Sequence, residues 1–348
     1  KIKDMQKNSY SRLQFLKTTA LAGIGLGISG SLSSLYANKA SIEKGRIGII
    51  GLDTSHSVAF AKLFKAADAG DAYGGFKIVA AYPKGSNDIK ASVERIPGYI
   101  EEIKQYGVAL CDSIEDLLKK VDVVLLETND GRVHLEQALK VIKAKKPVFI
   151  DKPMAASLKD AINIFEAAAQ NNVPVFSCSS LRYVDNLQTL VKDKSQKILG
   201  ADTYAPATLE KTHPDFFWYG IHGVEILYTA MGVGCDTVVR VHTDSTDVIV
   251  GTWADGRIGS VRGTRTGTHD YGGTIYTEKG NLVVGKHEGY ETMLKVIVEF
   301  FKSGIAPIDP RETLELLAFM EAGDESKQKG GAPVSINEMY RRIGKTRK

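Results

Sequence analysis

Two side chains in this sequence have types and settings suited to handling a proton. Lys152 follows the apolar run Pro147-Val148-Phe149-Ile150 and Asp151 and is itself followed by Pro153, and His222 follows Gly220-Ile221. Histidine titrates near neutral pH, so it serves as a general acid or base without tuning. A lysine ammonium lowers the pKa of a neighbouring hydroxyl and, once desolvated, can take the proton itself. Residue type alone leaves plainer alternatives open, a solvated lysine at a strand end and a hydrogen-bonded histidine on a helix.

A third feature is the segment Gly48-Ile49-Ile50-Gly51-Leu52-Asp53-Thr54-Ser55-His56, which follows a β-branched run and precedes Val58, Phe60, Leu63 and Phe64 at helical spacing. That is the context of a dinucleotide-binding turn, whose glycines admit a diphosphate and let the helix pack close. Asp53 and His56 stand where the second and third glycines belong. A carboxylate repels a diphosphate unless it turns away or is neutralised, whereas Thr54, Ser55 and the helix N-terminal amides can donate to phosphate. The alternative is that Asp53 or Ser55 only caps the helix, with no cofactor. After the second strand, Ala81-Tyr82-Pro83-Lys84-Gly85-Ser86 lacks the acid that grips the ribose of NAD. Lys84 and Ser86 suit a 2′-phosphate, so NAD or NADP is open, or they form a solvated turn.

The elements that must position these groups show in the hydrophobic period. Short β-branched runs at 47–50, 78–81, 121–126 and 147–150 alternate with helix-period stretches such as 132–143, and read as βαβ units around a parallel sheet. Ser157 caps a helix over 157–170, and 173–176 is one more short strand. Beyond about residue 195, period-two runs at 237–242 and 247–253 with turns at 254–256 and 278–280 predict an antiparallel sheet, and helices follow over 291–302 and from 310 to about 327. The expected fold class is α/β plus α+β, an N-terminal Rossmann-type parallel sheet and a C-terminal, mostly antiparallel open sheet with helices on one face. The expected divisions are a leader at 1–40, a nucleotide domain at 41–150 and a substrate and oligomerisation domain at 151–348.

At Asp151-Lys152-Pro153 the chain resembles the Gfo/Idh/MocA oxidoreductase family, whose marker is a Glu-Lys-Pro triplet at a strand end. Glu127-Thr128-Asn129, His134 with Gln137 and Ala138, and the closing stretch from Phe300 through Pro310-Arg311-Glu312 to Lys327 share the likeness. The family's second motif, D-x-G-x-H-x-x-D, falls on Trp218 to Glu225: Gly220 and His222 match, Glu225 replaces the last acid, and Trp218 replaces the first. The resemblance implies an NAD(P)-dependent oxidoreductase acting on a hydroxyl of a sugar, polyol or glycoside, with Lys152 and His222 at the reacting hydroxyl. It implies a nucleotide on Gly51, Asp53, Thr54, Ser55, His56, Thr128, Asn129 and Lys152. In the aromatic run 213–219, Trp218 and Tyr219 are candidate sugar platforms, with His213 and Asp215 binding hydroxyls and Arg182 a further polar contact. His222 and Glu225 share a helix face but no third ligand is in register, so no metal is expected. The rival is a cofactor-free sugar-binding or assembly protein that keeps the fold without dehydrogenase activity.

Composition narrows the setting. The 348 residues are 43% apolar and 25% charged, an ordinary globular balance that excludes disorder. Of the net charge of +4, residues 1–40 supply +5, so the remainder offers no basic surface for nucleic acid. Those 40 residues pair a charged start with a Gly- and Ala-rich apolar stretch, the layout of a signal peptide, too short to predict a stable membrane span. Ser11-Arg12-Leu13-Gln14-Phe15-Leu16-Lys17 resembles a twin-arginine export motif with Leu13 in place of the second arginine, so a Tat-like or Sec leader and a periplasmic location are expected, or a cytoplasmic one if the leader does not function. In the periplasm the cofactor would be held tightly and recycled in place. Cys111, Cys178 and Cys235 show no metal-ligand spacing and are expected as buried apolar residues. A homo-oligomer is expected through the open sheet, where Val239, Val241, Ile249 and Trp253 form its face or the core under the helices.

Overall fold

The computed structural model describes residues 42–66, 72–193 and 195–347. The leader expected over 1–40 lies outside them.

The first sheet is built from β1 (Arg46–Ile50), β2 (Lys77–Tyr82), β3 (Ala109–Leu110), β4 (Val123–Leu126), β5 (Val148–Asp151) and β6 (Val175–Cys178). Its order is β3-β2-β1-β4-β5-β6 and all its pairings are parallel. Helices α1 (Ser55–Lys65), α2 (Lys90–Gln105), α3 (Ile114–Lys120), α4 (His134–Lys143) and α5 (Leu158–Asn171) make the connections. The strands are apolar because both faces are covered. On β4, Val123 and Leu125 join a core with Phe60, Phe64, Phe149 and Phe176, while Val124 and Leu126 join another with Leu117, Val141 and Ile150. β6 carries this sheet to Cys178, past the boundary expected near 150.

After α6 (Asp185–Lys192), β7 (Ile198–Pro206) leads into α7 (Ile221–Met231), followed by β8 (Cys235–His242), β9 (Thr246–Trp253), β10 (Ile258–Thr264), β11 (Gly272–Thr277) and β12 (Gly280–Gly285). Helices α8 (Glu291–Ser303) and α9 (Pro310–Gln328), a short β13 (Val334–Ser335) and α10 (Ile336–Arg342) close the chain. The second sheet runs β12-β11-β7-β10-β9-β8-β13, antiparallel except where β7 and β10 pair in parallel. Ile249 and Trp253 point to the buried side with Leu227 and Phe319, whereas Val241 is 66% exposed, so only part of the expected oligomer face is on the surface. All three cysteines are free and buried.

One crossing departs from a simple two-part layout. Helix α8 comes from the C-terminal third of the chain but lays Leu294, Ile297 and Phe301 onto the first sheet, in the core that holds Phe60 and Phe176. Tyr290, just before α8, is thereby carried to the start of α1, where its ring meets His56 and Phe60 edge-on. Among the described residues no helix is long and apolar enough to cross a membrane.

Candidate active site

Strand order reverses between β1 and β4, and an open parallel sheet has its crevice at the C-terminal ends of the strands at such a point. Parity decides what faces it. Leu126 pairs with Ile150 across β4 and β5, so one step on, Glu127 comes beside Asp151. Both continue the side of Leu125 and Phe149, which faces α1 and α8. His56, in the first turn of α1, places Nδ1 2.7 Å from Asp151 Oδ2 and stacks on Phe60. Burial alone would raise the Asp151 carboxyl, but the His56 charge and hydrogen bond hold it below its ordinary range. Glu127 is fully buried and, among the described residues, neither carboxylate oxygen has a hydrogen-bond partner. Burial and the Asp151 charge push it well above the usual carboxylate range, against a smaller pull from Lys152.

Lys152 is 8% exposed and, among the described residues, makes no ion pair; its Nζ lies 5.5 Å from the centre of the Tyr219 ring. His222, in the first turn of α7, is buried with Nδ1 2.7 Å from Ser179 Oγ, just beyond β6. Tyr219 and Tyr271 flank its ring at 6.2 and 5.2 Å between centroids. Burial first, and the Lys152 charge second, hold the His222 imidazole well below its usual pKa, so it is neutral at pH 7. In the tautomer that donates Nδ1–H to Ser179, Nε2 presents a lone pair. The structure therefore brings together an unpaired ammonium, a neutral imidazole and two tyrosine rings.

The expected substrate contacts divide. Trp218 and Tyr219 are partly exposed, Trp218 lying between the rings of His213 and Tyr219. Asp215 does not serve as a free hydroxyl binder, because Arg240 Nη2 and Lys327 Nζ each donate to its Oδ2 at 2.7 Å. The His213 side chain is fully buried, with Nε2 3.3 Å from Asp130 Oδ1 and Nδ1 2.9 Å from Thr212 Oγ1. Arg182 is likewise occupied, buried against Glu225 and Glu312.

The nucleotide loop is rebuilt in a similar way. Asp53 turns inward, fully buried, and accepts from the amides of Ser86 at 2.8 Å and Asn129 at 3.0 Å, so it is a structural tie and not a phosphate contact. Burial pushes its carboxyl up against the pull of those amides. Asn129 Nδ2 donates to Ser92, and Ser86 Oγ to Asp130, which removes Ser86 as a 2′-phosphate donor; Lys84 stays exposed. Gly51 has φ +91°, and a Cβ there would lie 2.6 Å from Thr128, so only glycine fits. Thr54 caps α1 by accepting from His56 N, leaving Ser55 exposed at the helix N-terminus. Thr128 Oγ1 is buried without a partner among the described residues. The free amides of α1 with the Ser55 and Thr128 hydroxyls fit one diphosphate, now that the Asp53 charge is directed away. His56, expected on the cofactor, is committed to Asp151. The sequence pattern does not single out Ser179, Tyr271 or Tyr290, which lie on separate elements; the Glu127–Asp151 pairing was legible in principle from strand parity.

Residues 45–178 match the model of the Gfo/Idh/MocA oxidoreductase family, described as having an NAD-binding Rossmann fold. An inositol 2-dehydrogenase of Gluconacetobacter diazotrophicus is 41% identical over 59 residues, which are 17% of this chain and 18% of that one, so the match spans about a fifth of the relative's length. A probable dehydrogenase from Thermotoga maritima has a TM-score of 0.67 at 21% identity over 84% of this chain and 99% of its own. A scyllo-inositol dehydrogenase from Lactobacillus casei, solved with NAD(H) and scyllo-inositol, has a TM-score of 0.66 at 16% identity over 86% and 99%. At such identities the structural likeness establishes the fold alone.

Two outcomes follow from this geometry. Asp53→Ala leaves two amides unpaired and is expected to lower unfolding free energy by about 2–4 kcal/mol; a wild-type urea midpoint would contradict the tie. His222 binds a proton in the unfolded chain at 6.5 but only at lower pH when folded, so wild-type stability declines as pH falls below 6.5. His222→Gln should flatten that part of a melting-temperature profile between pH 7 and 5; an unaltered slope would argue against a buried neutral imidazole.

Proposed function

We propose, from the match of residues 45–178 to the Gfo/Idh/MocA oxidoreductase family model, that the protein is an NAD(P)-dependent oxidoreductase acting on a hydroxyl of a polyol or sugar. The observation that carries this reading is the unpaired Lys152 ammonium sharing a crevice with neutral His222 at the C-terminal edge of the parallel sheet. The dinucleotide would rest on the α1 N-terminus, Ser55 and Thr128, and its nicotinamide supplies the hydride acceptor. Lys152 holds the reacting hydroxyl and stabilises the developing alkoxide. His222, kept uncharged by burial, takes the hydroxyl proton at Nε2 while Ser179 fixes its ring. Tyr219 and the half-buried Trp218 present apolar ring faces to a polyol or sugar. The sugar-binding alternative without redox chemistry has no observation of its own in its favour, since Asp53 is turned away from the phosphate position.

We further propose that the chain is exported to the periplasm, on the strength of its signal-like first 40 residues, and self-associates through the second sheet's open face, where Val241, Ile258 and Val283 are exposed. Cell fractionation and light scattering check the two points.

Titration of the purified protein with NAD and NADP, together with mass spectrometry of nucleotide released on denaturation, is expected to find one dinucleotide per chain. Lys152→Ala should keep nucleotide binding and lose at least about 100-fold in kcat on polyols or sugars oxidised by the wild type. Absence of any dinucleotide binding would overturn the oxidoreductase reading, and an undiminished kcat would remove Lys152 from the chemistry.

A further inference from the structure

The cluster of His56, Glu127 and Asp151 has no part in the hydroxyl chemistry assigned to Lys152 and His222. We propose that these three residues form a site for one divalent transition-metal ion of the Zn2+ or Mn2+ class, at the ends of β1, β4 and β5. Their ligand atoms lie within 4.8 Å of one another. His56 Nδ1 and Asp151 Oδ2 are already 2.7 Å apart, close to the roughly 3 Å between two donors that share an ion at bonds of about 2.0–2.2 Å.

The independent sign of a ligand is Glu127. Its side chain is fully buried, both oxygens lack a hydrogen-bond partner among the described residues, and it extends into the space beside Asp151. A buried carboxylate is retained where a cation or a proton compensates it. Lys152 is close enough to pull on its proton, yet it forms no ion pair with Glu127 among the described residues; its ammonium lies by the Tyr219 ring. Two carboxylates with a neutral imidazole balance a divalent charge. One nitrogen with carboxylate oxygens favours Zn2+ or Mn2+ over the all-oxygen shells of Ca2+ and Mg2+. Three protein ligands leave a further coordination position for water or a substrate oxygen. Phe60 and Tyr290 wall the histidine and keep its ring turned toward Asp151. The site does not depend on the nicotinamide reading.

The test uses the purified chain stripped with a chelator and titrated calorimetrically with Zn2+ and with Mn2+, alongside melting temperatures. One ion per chain is expected for at least one metal, with a raised melting temperature. Glu127→Gln and Asp151→Asn should each weaken binding at least 10-fold and remove the melting shift, while Glu136→Gln, exposed on α4, should bind as the wild type does. Glu127→Gln alters a side chain whose carboxyl oxygens have no hydrogen-bond partner among the described residues and so should fold; circular dichroism of the metal-free variant checks this, and it alone suffices if Asp151→Asn does not fold. No stoichiometric binding of either metal, or binding undiminished in Glu127→Gln, would overturn the site. Lack of binding combined with a higher melting point for Glu127→Gln would assign Glu127 a proton in its place. Nucleotide titration in the presence of chelator reads the oxidoreductase proposal separately, so either can fail alone.

Discussion

The crevice depends on the Asp53 carboxylate. Its two oxygens accept one amide from the loop after β2 and one from the loop after β4, so a single buried side chain fixes three strand-end loops relative to one another. An amide left unpaired in that interior would cost about 1–3 kcal/mol, which makes the tie worth more than the surface ion pairs elsewhere. The same interaction explains why the chain tolerates an acid in a phosphate-binding loop. The charge is spent inside the fold, and the helix N-terminus keeps its exposed donors.

With the loops set, the crevice separates charge by side. Glu127, Asp151 and His56 lie toward α1 and α8, while Lys152, Tyr219 and His222 lie toward the second sheet. Lys152 sits between an acidic pair and a neutral histidine, and its charge lowers the affinity of both for a proton. A low-dielectric interior strengthens both effects, so the protonation states around Lys152 are mutually dependent. Helix α8 seals the acidic side, because its Leu294, Ile297 and Phe301 bury against the first sheet and bring Tyr290 onto His56.

Much of this was legible in the sequence. Short β-branched runs placed the parallel strands, the β4 sequence Val-Val-Leu-Leu announced burial on both faces, and Ser157 capped α5 as its hydroxyl and spacing suggest. Lys152 and His222 stood out because Asp151-Lys152-Pro153 and the Gly220-x-His222 spacing resemble the family's two motifs. The sequence by itself determined residue chemistry and local period. Tertiary structure alone decided pairing. Whether Asp215 and His213 met substrate or Arg240, Lys327 and Asp130, whether Asp53 faced phosphate or amides, and which face α8 covered all rest on contacts between residues distant along the chain. Hydrophobic period records that a side chain is buried or exposed, but carries no information about which charged or polar group closes on it in space.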